Sequence, residues 1–168
     1  TGGDSDGFLI KLDGNGNSLW VKKVESHGSA NSGSTKCMIQ DVAVDSQLNA
    51  YVIGYKTYGE YCKFGSNTVS SHGNSPSQDL LVGKLNSSTN TWEWANRGGT
   101  QGVYGRAIAV GPNGSVYVTG DGLLGKLDST GSWNWGNTGM GVIGCCGDGY
   151  GIGVDSNGNL YTTGESGG

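Results

Sequence analysis

Hydrophobic and polar residues alternate along this chain with a period of two, over short runs. In Asn49-Ala-Tyr-Val-Ile-Gly, Ser115-Val-Tyr-Val-Thr-Gly and Asn159-Leu-Tyr-Thr-Thr-Gly, β-branched and aromatic residues fill runs that stop at glycine. That pattern predicts strands. The links Asp13-Gly-Asn-Gly-Asn, Gly111-Pro-Asn-Gly, Asp128-Ser-Thr-Gly and Asp155-Ser-Asn-Gly-Asn supply the positive-φ residues that tight hairpins need. No helical period extends beyond one turn, so the class is all-β.

The runs repeat. One phrase reads LIKLDGNGNSLW at 9–20, LVGKLNSSTNTWEW at 81–94 and LGKLDSTGSWNW at 124–135. A second reads QDVAVDSQLNAYVIG at 40–54, RAIAVGPNGSVYVTG at 106–120 and YGIGVDSNGNLYTTG at 150–164. The unit recurs at roughly 42–44 residues, from Lys84 to Lys126 and from Tyr117 to Tyr161, the period of a four-stranded propeller blade. First strands are expected at Val42–Val44, Ala107–Val110 and Gly151–Val154, where small Ala43, Ala109 and Gly153 suit a crowded axis. Second strands end at Gly54, Gly120 and Gly164. Third strands are expected at Phe8–Leu12, Leu80–Leu85 and Leu123–Leu127, with apolar residues such as Leu9 and Ile10 on both faces. Fourth strands surround Trp20, Trp94 and Trp135.

The expected organisation is a single β-propeller repeat domain over 1–168. It holds a half blade at 1–24, a blade at 39–96 carrying an insertion at 56–77, a blade at 105–137 and a half blade at 149–164. Thr1-Gly2 takes the place of Thr119-Gly120 and Thr163-Gly164. About three blades' worth of strands results, whereas closed propellers use about 4–8. The chain is therefore expected to need further blades, from copies of itself or from a longer array.

The phrases resemble a known family. Asp6-Gly-Phe-Leu-Ile-Lys-Leu-Asp through Trp20, Ala107-Ile-Ala-Val through Thr119-Gly120, and Gly151-Ile-Gly-Val-Asp through Thr163-Gly164 are similar to the SBBP-like, seven-bladed-propeller-type repeats of secreted and surface proteins. The resemblance spans nearly the whole chain except 25–38 and 56–77. Val116–Trp135 also looks like the Trp-containing repeats of quinoprotein-type propellers. Both resemblances imply a fold, and neither brings a catalytic motif.

Composition narrows the function. The net charge is −4, charged residues are 14% and glycines number 34. Without a basic stripe, nucleic acid is not an expected partner. No apolar run is long enough to span a bilayer as a helix, and no signal-like segment or initiator Met is present, so the chain reads as processed, excised or part of something longer. Cys37, Cys62, Cys145 and Cys146 lack zinc-ligand spacing. Their even number in a low-charge chain points to disulfides and an extracellular or cell-surface setting. Three connectivities are open. Asn86 and Asn113 open glycosylation sequons.

The strand order places links 25–38, 55–78, 97–104 and 138–148 on one face, together with all four cysteines, His27 and His72. Long loops on a rigid scaffold carry binding. Gln40, Arg106 and Tyr150 hold equivalent places at that end of the first strands and, with Tyr104, are candidates for a central polar pocket. Trp92 and Trp133 alternate with the packing tryptophans and are candidate sugar or subunit contacts. Both histidines read as exposed loop residues. Asp6, Asp79 and Asp121 are expected to accept backbone N–H groups where their strands begin. The Asp13 and Asp155 segments resemble the start of a calcium loop but lack its later ligands, so they read as turns.

No metal, cofactor or catalytic constellation is expected. The expected role is a non-catalytic extracellular structural or interaction module, completed by self-association or further repeats, in a surface or filamentous assembly. A lectin-like glycan-binding propeller is the alternative. A carbohydrate-active enzyme is third, its carboxylates drawn from Asp41, Glu60, Asp148 or Glu165.

Overall fold

The computed structural model describes residues 5–28, 35–57, 59, 61–71, 78–98, 102–135 and 147–165. Thr1, Gly2, Glu60, His72, Cys145 and Cys146 lie outside them, and so do the readings placed there. The described residues are all-β, with three four-stranded antiparallel sheets and one two-stranded sheet, as propeller blades require.

The first sheet orders β1 (Gly7–Leu12), β2 (Ser18–His27), β5 (Tyr61–Phe64) and β6 (Asn67–Ser70). The second orders β3 (Lys36–Val44), β4 (Ala50–Thr57), β7 (Asp79–Asn86) and β8 (Thr91–Gly98). The third orders β9 (Gly105–Val110), β10 (Val116–Gly120), β11 (Leu123–Leu127) and β12 (Trp133–Trp135). β13 (Gly149–Val154) and β14 (Leu160–Gly164) form the last. β1, β3, β9 and β13 lie side by side as the inner strands.

This corrects the assignment of Phe8–Leu12 and Trp20 to third and fourth strands. β1 is an inner strand, tied to β3 by a parallel bridge between Ser5 and Lys36, and Trp20 lies in the second strand. The residues read as an insertion supply the outer half of this sheet. Glu25–His27 extend β2 so that it pairs with Tyr61–Lys63 of β5, and β6 follows by a hairpin. The physical reason lies in what faces the shared lysine. Lys84 and Lys126 stand opposite Tyr51 and Tyr117 and sit 5.7 and 5.2 Å from those ring centroids. Lys11 stands opposite Trp20 and is exposed. β1 is also apolar on both faces without being buried on both: Leu9 is buried and Ile10 is exposed.

Two apolar clusters hold the sheets together. Leu9, Val24, Phe64 and Val69 of the first sheet meet Val52, Leu81, Leu85 and Trp92 of the second. Tyr51, Ile53, Leu80 and Val82 meet Ile108, Val116, Val118 and Leu127 of the third. β7 is buried along both faces because a sheet lies on each side. Cys37 and Cys62 form a disulfide between β3 and β5, joining the first sheet to the second. Inside the second sheet, Lys56 and Asp79 face each other across the ladder, 3.7 Å apart and almost fully buried.

The turns at the far end share one device. Asp13, Asp45, Asp128 and Asp155 each accept the N–H groups of the residues two and four places on. In the Asp13, Asp45 and Asp155 turns an Asn amide closes the second carboxylate oxygen, and these are the first-to-second links. Burial alone would raise the Asp45 carboxyl, but the hydrogen bonds from Asn49, Tyr51 and Gln47 hold it below its ordinary value.

The near end repeats a different device. The register skips Gln40, Arg106 and Tyr150, each left as the extra residue of a β-bulge opposite a glycine joint. At Gly54, Gly120 and Gly164 a Cβ would overlap the carbonyl oxygen of Met38, Tyr104 and Asp148, respectively. Only glycine allows that backbone approach.

Three outcomes follow. Replacing both Cys37 and Cys62 with serine lowers unfolding free energy by about 2–4 kcal/mol, measured by denaturant titration of the oxidised protein against the variant. Gly120→Ala costs about 1–3 kcal/mol, whereas Gly153→Ala, where a Cβ meets nothing within 4 Å, costs less than half as much in the same titration. The lowered Asp45 carboxyl contributes stability that is complete above the unfolded value near 3.9 and is lost as pH falls through the lower folded value. Stability measured between about pH 5 and 2 therefore falls less steeply in Asp45→Asn than in the parent.

Candidate functional site

A β-bulge turns a side chain out of the alternation of its strand and re-aims it. Here the bulges at Gln40, Arg106 and Tyr150 sit on inner strands, so these re-aimed side chains gather near the axis. The residue just after each glycine joint stands beside them: Tyr55, Asp121 and Glu165 follow Gly54, Gly120 and Gly164. The backbone repeats as well. Asp121 N–H donates to the Tyr104 carbonyl at 3.1 Å, and Glu165 N–H donates to the Asp148 carbonyl at 3.0 Å.

Between the second and third sheets these positions enclose a cleft of about 210 Å3, lined by Gln40, Tyr55, Tyr104, Gly105, Arg106 and Asp121. Arg106 Nε donates to Asp121 Oδ1, and its Nη2 lies 3.6 Å from Asp148 Oδ2. The hydrogen bond to Asp121, together with the charges of Asp121 and Asp148, raises the Arg106 guanidinium above its ordinary value. Its carbon lies 5.1 Å from the Tyr150 ring centroid. Burial, followed by a hydrogen bond to Glu165, pushes the Tyr150 phenol up. Tyr55 and Tyr104 meet edge to face at 4.5 Å.

The structure thus gathers Gln40, Tyr104 and Arg106 into one cleft, and the Tyr150 ring, outside its lining, lies against the guanidinium. Sequence reading missed Tyr55 and Asp121 as wall residues and Asp148 as a partner of Arg106. Their signal was available: Tyr55 and Asp121 share one offset from the glycine joint, and Asp148 shares the offset of Tyr104.

The other candidates are placed elsewhere. Trp92 is buried against Phe64, edge to face at 5.0 Å, so it offers no open ring for a sugar or a partner. Trp133 is half-buried, and its Nε1 donates to the Arg97 carbonyl at 3.0 Å. It lies so close to Gly98 and Gly125 that a Cβ on either would overlap its ring. Both tryptophans pack sheets together because outer strands here are covered by their neighbours.

Asp6 does accept the Ser26 N–H, at 2.7 Å, and also pairs with Lys23. Asp79 and Asp121 face side-chain cations, Lys56 and Arg106, which lie opposite or beside them in the ladder. Asp41 accepts the Ile108 N–H at 3.0 Å, a fastener between inner strands. Asp148 is engaged by Arg106, and Glu165 is exposed at the last strand's end. His27 stacks on Tyr61 at 4.6 Å. Asn86 is half-buried and holds Glu93 and two turn N–H groups, while Asn113 is exposed in its turn. No cluster of metal-ligating side chains occurs among the described residues.

One comparison with known proteins accords with this geometry. No curated protein matches the sequence. A family model described as a beta-propeller repeat, SBBP, matches residues 148–168, the segment that carries β13, β14 and the last bulge. The similarity to quinoprotein-type Trp repeats finds no support.

Proposed function

We propose that this β-propeller repeat module is a non-catalytic structural and interaction unit, completed by blades supplied by copies of itself or by further repeats. One observation carries the reading. The outward face of β1 and β2 displays Phe8, Ile10, Leu12, Leu19 and Val21, between 41% and 63% exposed. Ile10 and Val21 stand directly opposite each other in the ladder, so these side chains share one face.

The same face in the third sheet shows what such a surface does. Ile108, Val116 and Val118 occupy it and are buried against the second sheet. The opposite end carries the complementary surface. Tyr161 is 62% exposed, whereas its counterparts Tyr51 and Tyr117 are 1% and 7% exposed beneath the next sheet. Full burial of each open aliphatic or aromatic side chain is worth about 1.5–3 kcal/mol. Several of them together match the ~5–15 kcal/mol that holds a domain folded. A face of that size favours a partner sheet over water.

The disulfide and the exposed sequon at Asn113 support an extracellular or surface setting. Of the carboxylates considered for glycoside chemistry, Asp41 and Asp148 are held by backbone and guanidinium partners, which favours the non-catalytic reading.

Light scattering or sedimentation of the chain is expected to report a particle heavier than one copy. Val21→Glu shifts that particle towards single chains while far-UV circular dichroism stays unchanged. A stable, monodisperse monomer at every concentration of the parent chain would sink the reading.

A further inference from the structure

The cleft at the bulges has a chemistry that the assembly reading does not use. We propose that it binds one ring of a neutral saccharide.

Three observations point there. The first is how the site is made. Across the blades the framework keeps its chemistry: Gly54, Gly120 and Gly164 at the joints, small residues at Ala43, Ala109 and Gly153, and an Asp in three of the four first-to-second turns. The positions that the bulges re-aim do not. They hold Gln40, Arg106 and Tyr150, and the residues after the joints are Tyr55, Asp121 and Glu165. The framework positions stay constant while those at the bulges and after the joints vary, and four of these, Gln40, Tyr55, Arg106 and Asp121, line the cleft, which separates support from recognition.

The second is charge. A guanidinium flanked by Asp121 and Asp148 presents fixed donors and acceptors with an excess of one negative charge. An anionic ligand would meet two carboxylates beside Arg106, the only cation of this cluster among the described residues. A cationic ligand would have to displace Arg106 from Asp121 and from the Tyr150 ring. A hydroxyl, which both donates and accepts, suits the amide of Gln40 and the unused edges of the Arg–Asp network without breaking it.

The third is size and surface. At about 210 Å3 the cleft falls below the ~300–1,000 Å3 typical of drug-sized ligands, which fits a single ring. Tyr55 and Tyr104 are half-buried and held edge to face, so they bring preformed ring surface to an otherwise polar wall. The second cleft, at the far end, lacks this. Its Asp45 and Asp155 carboxylates are engaged inside their own turns.

The test is a titration of the full chain, followed by two-dimensional NMR, with glucose, galactose, mannose, N-acetylglucosamine and glucuronate. At least one neutral sugar is expected to shift the amides of Tyr104–Arg106 and Asp121, saturably, and more tightly than glucuronate. Gln40→Ala and Tyr104→Ala each weaken that binding by about tenfold, the loss of one hydrogen bond or ring contact. Asn113→Ala, far from the cleft in the turn after β9, leaves it unchanged. Gln40 is exposed, so its variant folds even where Tyr104→Ala does not. Preference for glucuronate, absence of shifts with every neutral sugar, or binding indifferent to Gln40→Ala would each overturn the proposal.

Discussion

The rest of this structure depends on a backbone contact that leaves no room for a β-carbon. At Gly54, Gly120 and Gly164 the second strand of a blade runs so close to the first that a side chain would overlap a carbonyl oxygen. The first strand answers with one extra residue, and the ladder resumes on the other side. That local mismatch keeps the inner strand near the axis and the sheet twisted. In these three sheets it also decides which residue leaves the ladder. Packing between sheets, by contrast, is generic: branched and aromatic side chains fill two apolar layers, and many combinations of similar volume would serve.

Seen from that contact, the two ends of each blade divide the labour. At the turn end, Asp carboxylates are consumed by the N–H groups of their own loops, which fixes the hairpins and leaves little chemistry over. At the bulge end the side chains leave the sheet near the axis, where Arg106 pairs with Asp148 of the next sheet. The rigid end holds the geometry, and the open end displays it.

Much of this was legible in the chain itself. Repetition gave the blade, the glycine joints gave the strand ends, and equivalence between copies brought Gln40, Arg106 and Tyr150 together. The first blade was misread because the phrase around Lys11 resembles those around Lys84 and Lys126, although it lacks the tyrosine opposite that makes the lysine useful. A better sign was present in the turn. Asp13 is followed four places on by Asn17, as Asp45 is by Asn49 and Asp155 by Asn159, whereas the third-to-fourth turn at Asp128 has Ser132 there. The burial of Trp92 was not legible, because Phe64 covers it from a hairpin whose alternation is only four residues per strand. Strands that short carry too little pattern to assign to a sheet.

That hairpin has a consequence for the order in which the molecule is made. β5 and β6 come after β4 in the chain, yet they complete the sheet that β1 and β2 begin. The first blade is therefore unfinished when the second has already started, and the chain must return across its neighbour before continuing to β7. Contacts between distant segments form slowly because the loop between them must close first. The bond from Cys37 to Cys62 spans that return path. Sheets one and two are in this sense a single interleaved unit, ripening together, while the third can follow as an independent addition.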